Sequence, residues 1–277
     1  MSGARLFVSD IDGTLVTPDK RLTDASVRAV RSLHDRGIGF TIVSSRPPCG
    51  MRMLVEPLAL TLPLGAFSGG TIVGPDLAPI EQHLVPEPAA GKSLDLLKAL
   101  RIDAWVFTAD QWLVRDPGGD YVGRERRTIA AEPRVVTEFA PWLAQVCKIV
   151  GSSSDFARLA ECEVAMRAAL GGQASIARSQ SYYLDITPPG RDKGTFVEAM
   201  SARLAIPAGS IAVLGDGEND VAMFRKAGLA IAMGNASPKV RQQAAEVTAS
   251  NAEDGFAAAI ERYVLNPPSR SQQTARP

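Results

Sequence analysis

The chain has 277 residues, 45% of them hydrophobic, enough for one large domain or two modest ones with real cores. Thirty basic residues balance thirty acidic ones, which excludes the positive field of nonspecific nucleic-acid or anionic-membrane binding and points to a small partner. The cysteines, Cys49, Cys147 and Cys162, are odd in number and lack a CxxC, so neither a disulfide framework nor a zinc site is expected, and a reducing cytoplasm fits.

The N-terminal "MSGA" passes straight into an apolar strand, "ARLFVS", with no signal-peptide pattern. "TDASVRAVRSLHDRG" follows as an amphipathic helix with Val27, Val30 and Leu33 on one face, Thr23 as N-cap and Gly37 as stop. "IGFTIVSS" reads as a second strand, and Pro47 and Pro48 suit the first turn of the next helix. The uncharged run Pro57–Pro75 approaches membrane-spanning length, but its prolines and glycines break it into helix end, loop and strand. Its "LGAFSGG" is expected to be a third strand, completing βαβαβ and hence a parallel, doubly wound sheet.

The far end has the same character. "DKGTFVEAMSARLAI" is helical, "SIAVLGD" a strand, "NDVAMFRKAG" a helix, "LAIAMG" a strand, and "SPKVRQQA" and "AEDGFAAAIERYVL" are helices. Between His83 and Tyr183 strand-rich segments such as "AWVFTAD", "QWLVRD", "QVCKIVG" and "QASIARSQ" alternate with helical stretches near Leu94–Leu100 and Phe156–Leu170. That change of texture predicts a second domain inserted into the α/β fold. The polar, proline-rich "NPPSRSQQTARP" is expected to be a flexible tail.

Several nucleotide and calcium patterns fail on spacing. The glycine that a P-loop needs five residues before Gly91 is Pro86, and "GDGEND" lacks the third glycine of a dinucleotide fingerprint. As EF-hands, "DIDG" and "DGEND" would place Leu15 or Val221 at the sixth position and Arg21 or Ala227 at the twelfth. Four polar clusters remain, each beside a strand end or helix start: Asp10 with Asp12, Ser44 to Arg46, Lys193, and Gly215 to Asp220. In parallel sheets such loops can meet outside the carboxyl ends of the strands. Two carboxylates ~4 Å apart repel by about 4 kcal/mol at an effective dielectric near 20, unless a cation compensates. Asp10, Asp12 and Asp216 offer hard oxygen ligands for Mg²⁺, while Ser44, Arg46 and Lys193 offer donors and positive charge for phosphate oxygens.

These segments together resemble the haloacid dehalogenase (HAD) superfamily, specifically Cof-type phosphatases with a C2-type (IIB) cap. "DIDGTL" is similar to the first motif, "TIVSSRP" to the second, "PPGRDKGTF" to the third, "GDGENDVAMF" to the fourth, and "ASNAEDGFAAAIERY" to the usual ending. The resemblance implies an α/β fold: a Rossmann-like doubly wound parallel-sheet core from residues 1–83 plus 186–265, an inserted α+β cap at 84–185, and a tail at 266–277. It implies a Mg²⁺-dependent phosphatase acting on a small organic phosphate monoester, a sugar phosphate first, through an aspartyl-phosphate. The alternatives are a sugar phosphomutase of the same superfamily and a catalytically silent phosphate-binding protein. The implied partner is a small phosphorylated metabolite, with no nucleic acid or membrane, for a cytoplasmic monomer or homodimer.

Residue by residue, the resemblance makes Asp10 the nucleophile and Asp12 the acid and base. It places phosphate contacts at Ile11, Ser44, Ser45, Arg46, Lys193 and Asn219, and metal contacts at Asp10, Asp12 through its carbonyl, Asp216 and Asp220. Two positions depart from the family pattern: Ser45 where glycine is common, and Ser68 where an asparagine usually stands. Elsewhere the bland readings are favoured. His34 and His83 lack ligand spacing, Cys49 reads as a small packing residue, and Arg124 to Arg127 as a solvated face, with attraction of an anionic substrate as its sharper alternative. Arg178 and Tyr182 are further weak candidates for substrate contact.

Overall fold

A computed structural model describes residues 3–267 of the chain. By its internal contacts the chain divides into two compact units, one of Met1–Val43, Leu54–Leu62 and Val197–Pro277, the other of Ser44–Met53 and Pro63–Phe196. Of the expected tail at 266–277, residues 268–277 lie outside the described residues. No described helix is long and apolar enough to cross a membrane.

The first unit is built on a five-stranded sheet in the order Glu246–Val247, Leu229–Ala232, Ile211–Gly215, Leu6–Ser9, Gly39–Ile42. Every pairing is parallel, with Leu6 opposite Ile211 and Gly39, and Ser9 opposite Leu214 and Ile42. The continuous apolar runs seen in the sequence are what such a sheet demands, because helices bury both of its faces. From Leu6–Ser9 the chain winds to one side, and from Ile211–Gly215 to the other. Strand order therefore reverses between these two neighbours, which opens a crevice outside their carboxyl ends.

The helix Asp24–Asp35 starts where Thr23 Oγ1 accepts the Ser26 amide at 3.1 Å. It buries Ser26, Val30 and Leu33, whereas Val27, expected on that face, is half-buried at its edge. Phe7 and Phe40 from the sheet meet Phe256 of the last α-helix, Gly255–Ala259, with ring centroids 6.0 to 6.2 Å apart. A side chain on Gly255 would lie 2.1 Å from the Ala249 carbonyl oxygen, so only glycine lets this helix start so close to the preceding loop.

The second unit contains a six-stranded sheet in the order Ser175–Gln180, Tyr183–Thr187, Lys148–Ser152, Asp103–Phe107, Trp112–Val114, Arg134–Val135. It is antiparallel except for its last pair. Ala104, Val106, Ile149, Leu184 and Ile186 join one apolar cluster with the helices Glu87–Ala99 and Phe156–Leu170. Alternation along the strands gives the opposite face Trp105, Phe107, Trp112 and Tyr183, whose rings contact one another at 5.1 to 5.9 Å. That face also carries Lys148 and Asp185.

One expectation is corrected. The strand Leu64–Ala66 is not a third parallel strand; it pairs antiparallel with Thr71–Val73, which pairs antiparallel with Pro79–Gln82. A parallel return needs a crossover of a dozen residues or so. Here four residues suffice, because Phe67 and Ser68 adopt left-handed φ of 50° and 58° and turn the chain back on itself. The run Arg124 to Arg127 lies on a helix, Val122–Ile129, and is not uniformly solvated: Arg126 pairs with Glu132 at 2.7 Å and Arg124 stacks over the Tyr182 ring at 4.9 Å. Arg178 is held by the Gln180 and Ser181 carbonyls, and Tyr182 stacks on Tyr121 at 4.3 Å.

Cys49, read as a small packing residue, is exposed, although desolvation raises its thiol as well; Cys147 and Cys162 are buried and their thiols are pushed up to about 11 by desolvation. In native protein at pH 8 a thiol reagent is therefore expected to modify Cys49 faster than the two buried cysteines, and equally fast labelling of all three would contradict the burial. Phe256→Ala is expected to cost roughly 3–5 kcal/mol, read as a lowered denaturant midpoint, because it empties the centre of the phenylalanine cluster.

Candidate active site

Asp10 follows the strand Leu6–Ser9 and Asp216 follows Ile211–Gly215, so the two neighbouring strands deliver both carboxylates at the same end of the sheet. The ladder continues one step further, with the Asp10 amide donating to the Leu214 carbonyl at 2.9 Å. Carboxylate oxygens of Asp10, Asp216 and Asp220 all lie within 4.8 Å of one another, with Asp10 and Asp220 buried. At that spacing each like-charged pair repels by roughly 3 kcal/mol at an effective dielectric near 20.

The loops around this cluster are built for it. Asp220 Oδ2 accepts the amides of Asp216 and Gly217, each at 2.8 Å, and so clamps the turn that carries Asp216. A side chain at Gly215 would lie 2.4 Å from the Asp220 carboxyl carbon. Gly13, at φ 87°, would place one 2.2 Å from Asp216 Oδ2. Both glycines are cut to the shape of the acidic cluster. Asp216 also takes hydrogen bonds from Thr14 Oγ1 at 3.3 Å and Asn235 Nδ2 at 3.2 Å. The same Asn235 amide reaches the Gly13 carbonyl at 2.9 Å.

Asp12 does not belong to the acidic group. Its carboxylate meets Lys20 at 2.6 Å. The Ile11 side chain is fully buried and its carbonyl accepts the amides of Thr14, Leu15 and Val16, so only its backbone can face a ligand. Asn219 is half-buried in the turn Glu218–Asp220, folded back over Gly217. An all-oxygen, acidic and partly buried donor set suits a hard divalent cation such as Mg²⁺. Asp10, Asp216 and Asp220 are the residues that fit it by proximity.

The second unit holds the remaining sequence candidates. Ser44 and Arg46 are buried and Ser45 half-buried. The carbonyls of all three are held: Ser44 by the Ser68 amide at 2.7 Å, Ser45 by Lys148 Nζ at 3.1 Å, Arg46 by the Phe67 amide at 3.0 Å. The Arg46 amide donates to Ser44 Oγ at 3.2 Å, and its guanidinium donates to the Gly50 carbonyl at 2.8 Å, closing the turn Pro48–Met51. Ser45 Oγ and Ser68 Oγ lie 3.1 Å apart, so the two departures from the family pattern share one hydrogen bond.

Lys193 opens the helix Lys193–Leu204, which Asp192 caps by accepting the Thr195 amide at 2.9 Å. It is 1% exposed, an unusual place for an ammonium without a task. Gly69, at φ 92°, packs so closely on the Asp192 carbonyl that a side chain would lie 2.7 Å from it. The loop that holds Ser44 thus abuts the start of the Lys193 helix. Sequence reasoning missed Lys20, Thr14, Asn235 and Lys148. Lys20 stands eight residues from Asp12 and Thr14 two, yet neither spacing has a template, and no pattern marks Asn235 or Lys148.

Comparison with known proteins identifies the family and the fold. A family model described as haloacid dehalogenase-like hydrolase matches residues 7–260. An HMP-PP phosphatase of Cronobacter sakazakii is 29% identical over 252 residues, covering 86% of each chain. A 5-amino-6-(5-phospho-D-ribitylamino)uracil phosphatase of Bacillus subtilis is 26% identical over 262 residues, 94% of this chain and 96% of that one. Among solved structures, a haloacid dehalogenase-like hydrolase from Bacteroides thetaiotaomicron superposes with a TM-score of 0.83 at 25% identity, covering 94% of this chain and 99% of the other. With four motifs in order and a family match that spans nearly its whole length, the chain belongs to the haloacid dehalogenase-like hydrolases.

Proposed function

We propose that the chain is a Mg²⁺-dependent phosphatase that hydrolyses a small organic phosphate monoester, a sugar phosphate first, through an aspartyl-phosphate on Asp10. The observation that carries this reading is the acidic cluster of Asp10, Asp216 and Asp220 at the ends of adjacent parallel strands. The phosphatase names of the relatives support it. We further assign residues 84–185 as the cap, with 1–83 and 186–265 as the core.

In this scheme Asp10 Oδ attacks phosphorus, the bond to the leaving alcohol oxygen breaks, and Asp12 gives that oxygen a proton. Asp12 then takes a proton from water as the water oxygen attacks phosphorus, which releases inorganic phosphate and restores the Asp10 carboxylate. Ser44, the backbone at Ile11 and Ser45, Asn219, Arg46 and Lys193 bind the phosphoryl oxygens. Asp10, Asp216, Asp220 and the Asp12 carbonyl would hold Mg²⁺, which would supply positive charge against the charge on the phosphoryl group. Lys193 serves the same end, which suits a reaction in which positioning and charge stabilisation dominate.

A panel of sugar, nucleotide and cofactor phosphates, scored by Mg²⁺-dependent release of inorganic phosphate, tests the reading. Isomerised sugar phosphate without phosphate release would replace it with a mutase, and no turnover on any compound with a binding protein. Asp10→Asn is expected to lower kcat on the order of 10³-fold or more with an unchanged circular dichroism spectrum. Near-wild-type activity would remove Asp10 as nucleophile. For Lys193→Ala the expectation is a loss of roughly 10²–10³-fold in kcat/KM, the scale of one charge-stabilising donor, and unchanged kinetics would take Lys193 out of the site.

A further inference from the structure

The strands Lys148–Ser152 and Tyr183–Thr187 run antiparallel with Asp185 opposite Val150. Lys148, two residues before Val150 on the same face, reaches diagonally across the ladder, and its Nζ lies 2.7 Å from Asp185 Oδ2. Both residues are buried, at 5% and 3% exposure. The ammonium also donates to the Ser45 carbonyl at 3.1 Å. Asp185 Oδ1 is buried and has no hydrogen-bond partner among the described residues.

As a device for stability this pair is poor. Desolvating two charges offsets most of their attraction, and an unsatisfied carboxylate oxygen adds a further cost that an apolar pair would avoid. Its local effect is to hold one peptide. The Ser45–Arg46 peptide is trans and planar, so a donor fixed on the Ser45 carbonyl also fixes the direction of the Arg46 N–H on the opposite edge. That N–H donates to Ser44 Oγ at 3.2 Å. A hydroxyl whose lone pair takes an N–H keeps its own proton for an outgoing bond. Of the three carbonyls in Ser44 to Arg46, the other two are held by backbone amides, and only that of Ser45 depends on a side chain from another strand.

We infer that Lys148, oriented by Asp185, is a positioning residue for Ser44: it sets the Ser45–Arg46 peptide so that the Ser44 hydroxyl presents its proton to a phosphoryl oxygen. The inference rests on the proposed role of Ser44 as a phosphate ligand. Lys148 acts through the peptide, which makes its effect conditional on the hydroxyl.

The test is a double-mutant cycle on Mg²⁺-dependent hydrolysis of p-nitrophenyl phosphate, with competitive inhibition by inorganic phosphate measured alongside. Lys148→Met is expected to raise both KM and the inhibition constant for phosphate about tenfold, with a smaller change in kcat. In a Ser44→Ala background the same change is expected to add less than about twofold, because the group it positions is gone. Lys148→Met alone strands the Asp185 charge, so the paired variant Lys148→Met with Asp185→Leu is measured too and is expected to show the same rise. Values within about twofold of wild type in the folded paired variant overturn the inference. A tenfold effect that persists in full without the Ser44 hydroxyl overturns it as well. Wild-type protein with no turnover would remove the functional reading beneath it, whereas wild-type turnover with an indifferent Lys148 removes the positioning role alone.

Discussion

The mutual repulsion of Asp10, Asp216 and Asp220 is the constraint around which the first unit is arranged. Carboxylates within 4.8 Å of one another, two of them buried, persist only if the backbone gives them no way to separate. The parallel ladder between Leu6–Ser9 and Ile211–Gly215 fixes Asp10 and Asp216 at one level, and Asp220 locks the second loop by accepting two amides. Gly13 and Gly215 then stand where any side chain would collide with the carboxylates. The apolar interior, centred on Phe7, Phe40 and Phe256, supplies the stiffness that this concentration of like charge requires. A hard cation at the cluster would turn the largest local cost into a favourable interaction.

The second unit handles the opposite problem, holding cations and donors out of water. Lys193 is buried at a helix start, and Lys148 is buried against one carboxylate and one carbonyl. The Ser44 to Arg46 segment has its carbonyls tied back, and its Ser44 and Arg46 amides are taken by the Gly65 carbonyl and Ser44 Oγ, so the donor it offers is the Ser44 hydroxyl. An anion suits such a surface. The left-handed turn at Phe67 and Ser68 is part of the same device, since those two amides bind two of the three carbonyls.

Much of this was legible in the sequence, for reasons that differ by element. The apolar strands announce burial directly, and the Thr23 cap and the helix Phe156–Leu170 follow from local chemistry that tertiary contacts did not overrule. The third strand went astray because strand propensity says nothing about the direction of pairing, which two left-handed residues decided. The acidic positions were readable because Asp10, Asp12 and Asp216 sit beside glycines at strand ends. Lys20, Asn235 and Lys148 were not, because each meets its partner through a loop or a ladder that no local pattern encodes. Ser45 and Ser68 read separately as departures from a family pattern, yet they contact each other, and only folding shows that one change accommodates the other.

By itself the sequence determined the chemistry available: which strand ends carry carboxylates, which segments carry hydroxyls and cations, and that the chain belongs with α/β hydrolases of this family. Those properties are written in residue type and short spacing, which folding does not alter. Tertiary structure alone decided which carboxylates share a site, because that depends on register between strands some two hundred positions apart in the chain, and the loop that follows the first strand pairs Asp12 off to Lys20. It also decided that a lysine and an aspartate on neighbouring strands of another sheet would hold the peptide beside Ser44. Sheet register brings such partners together, and a linear sequence does not display it.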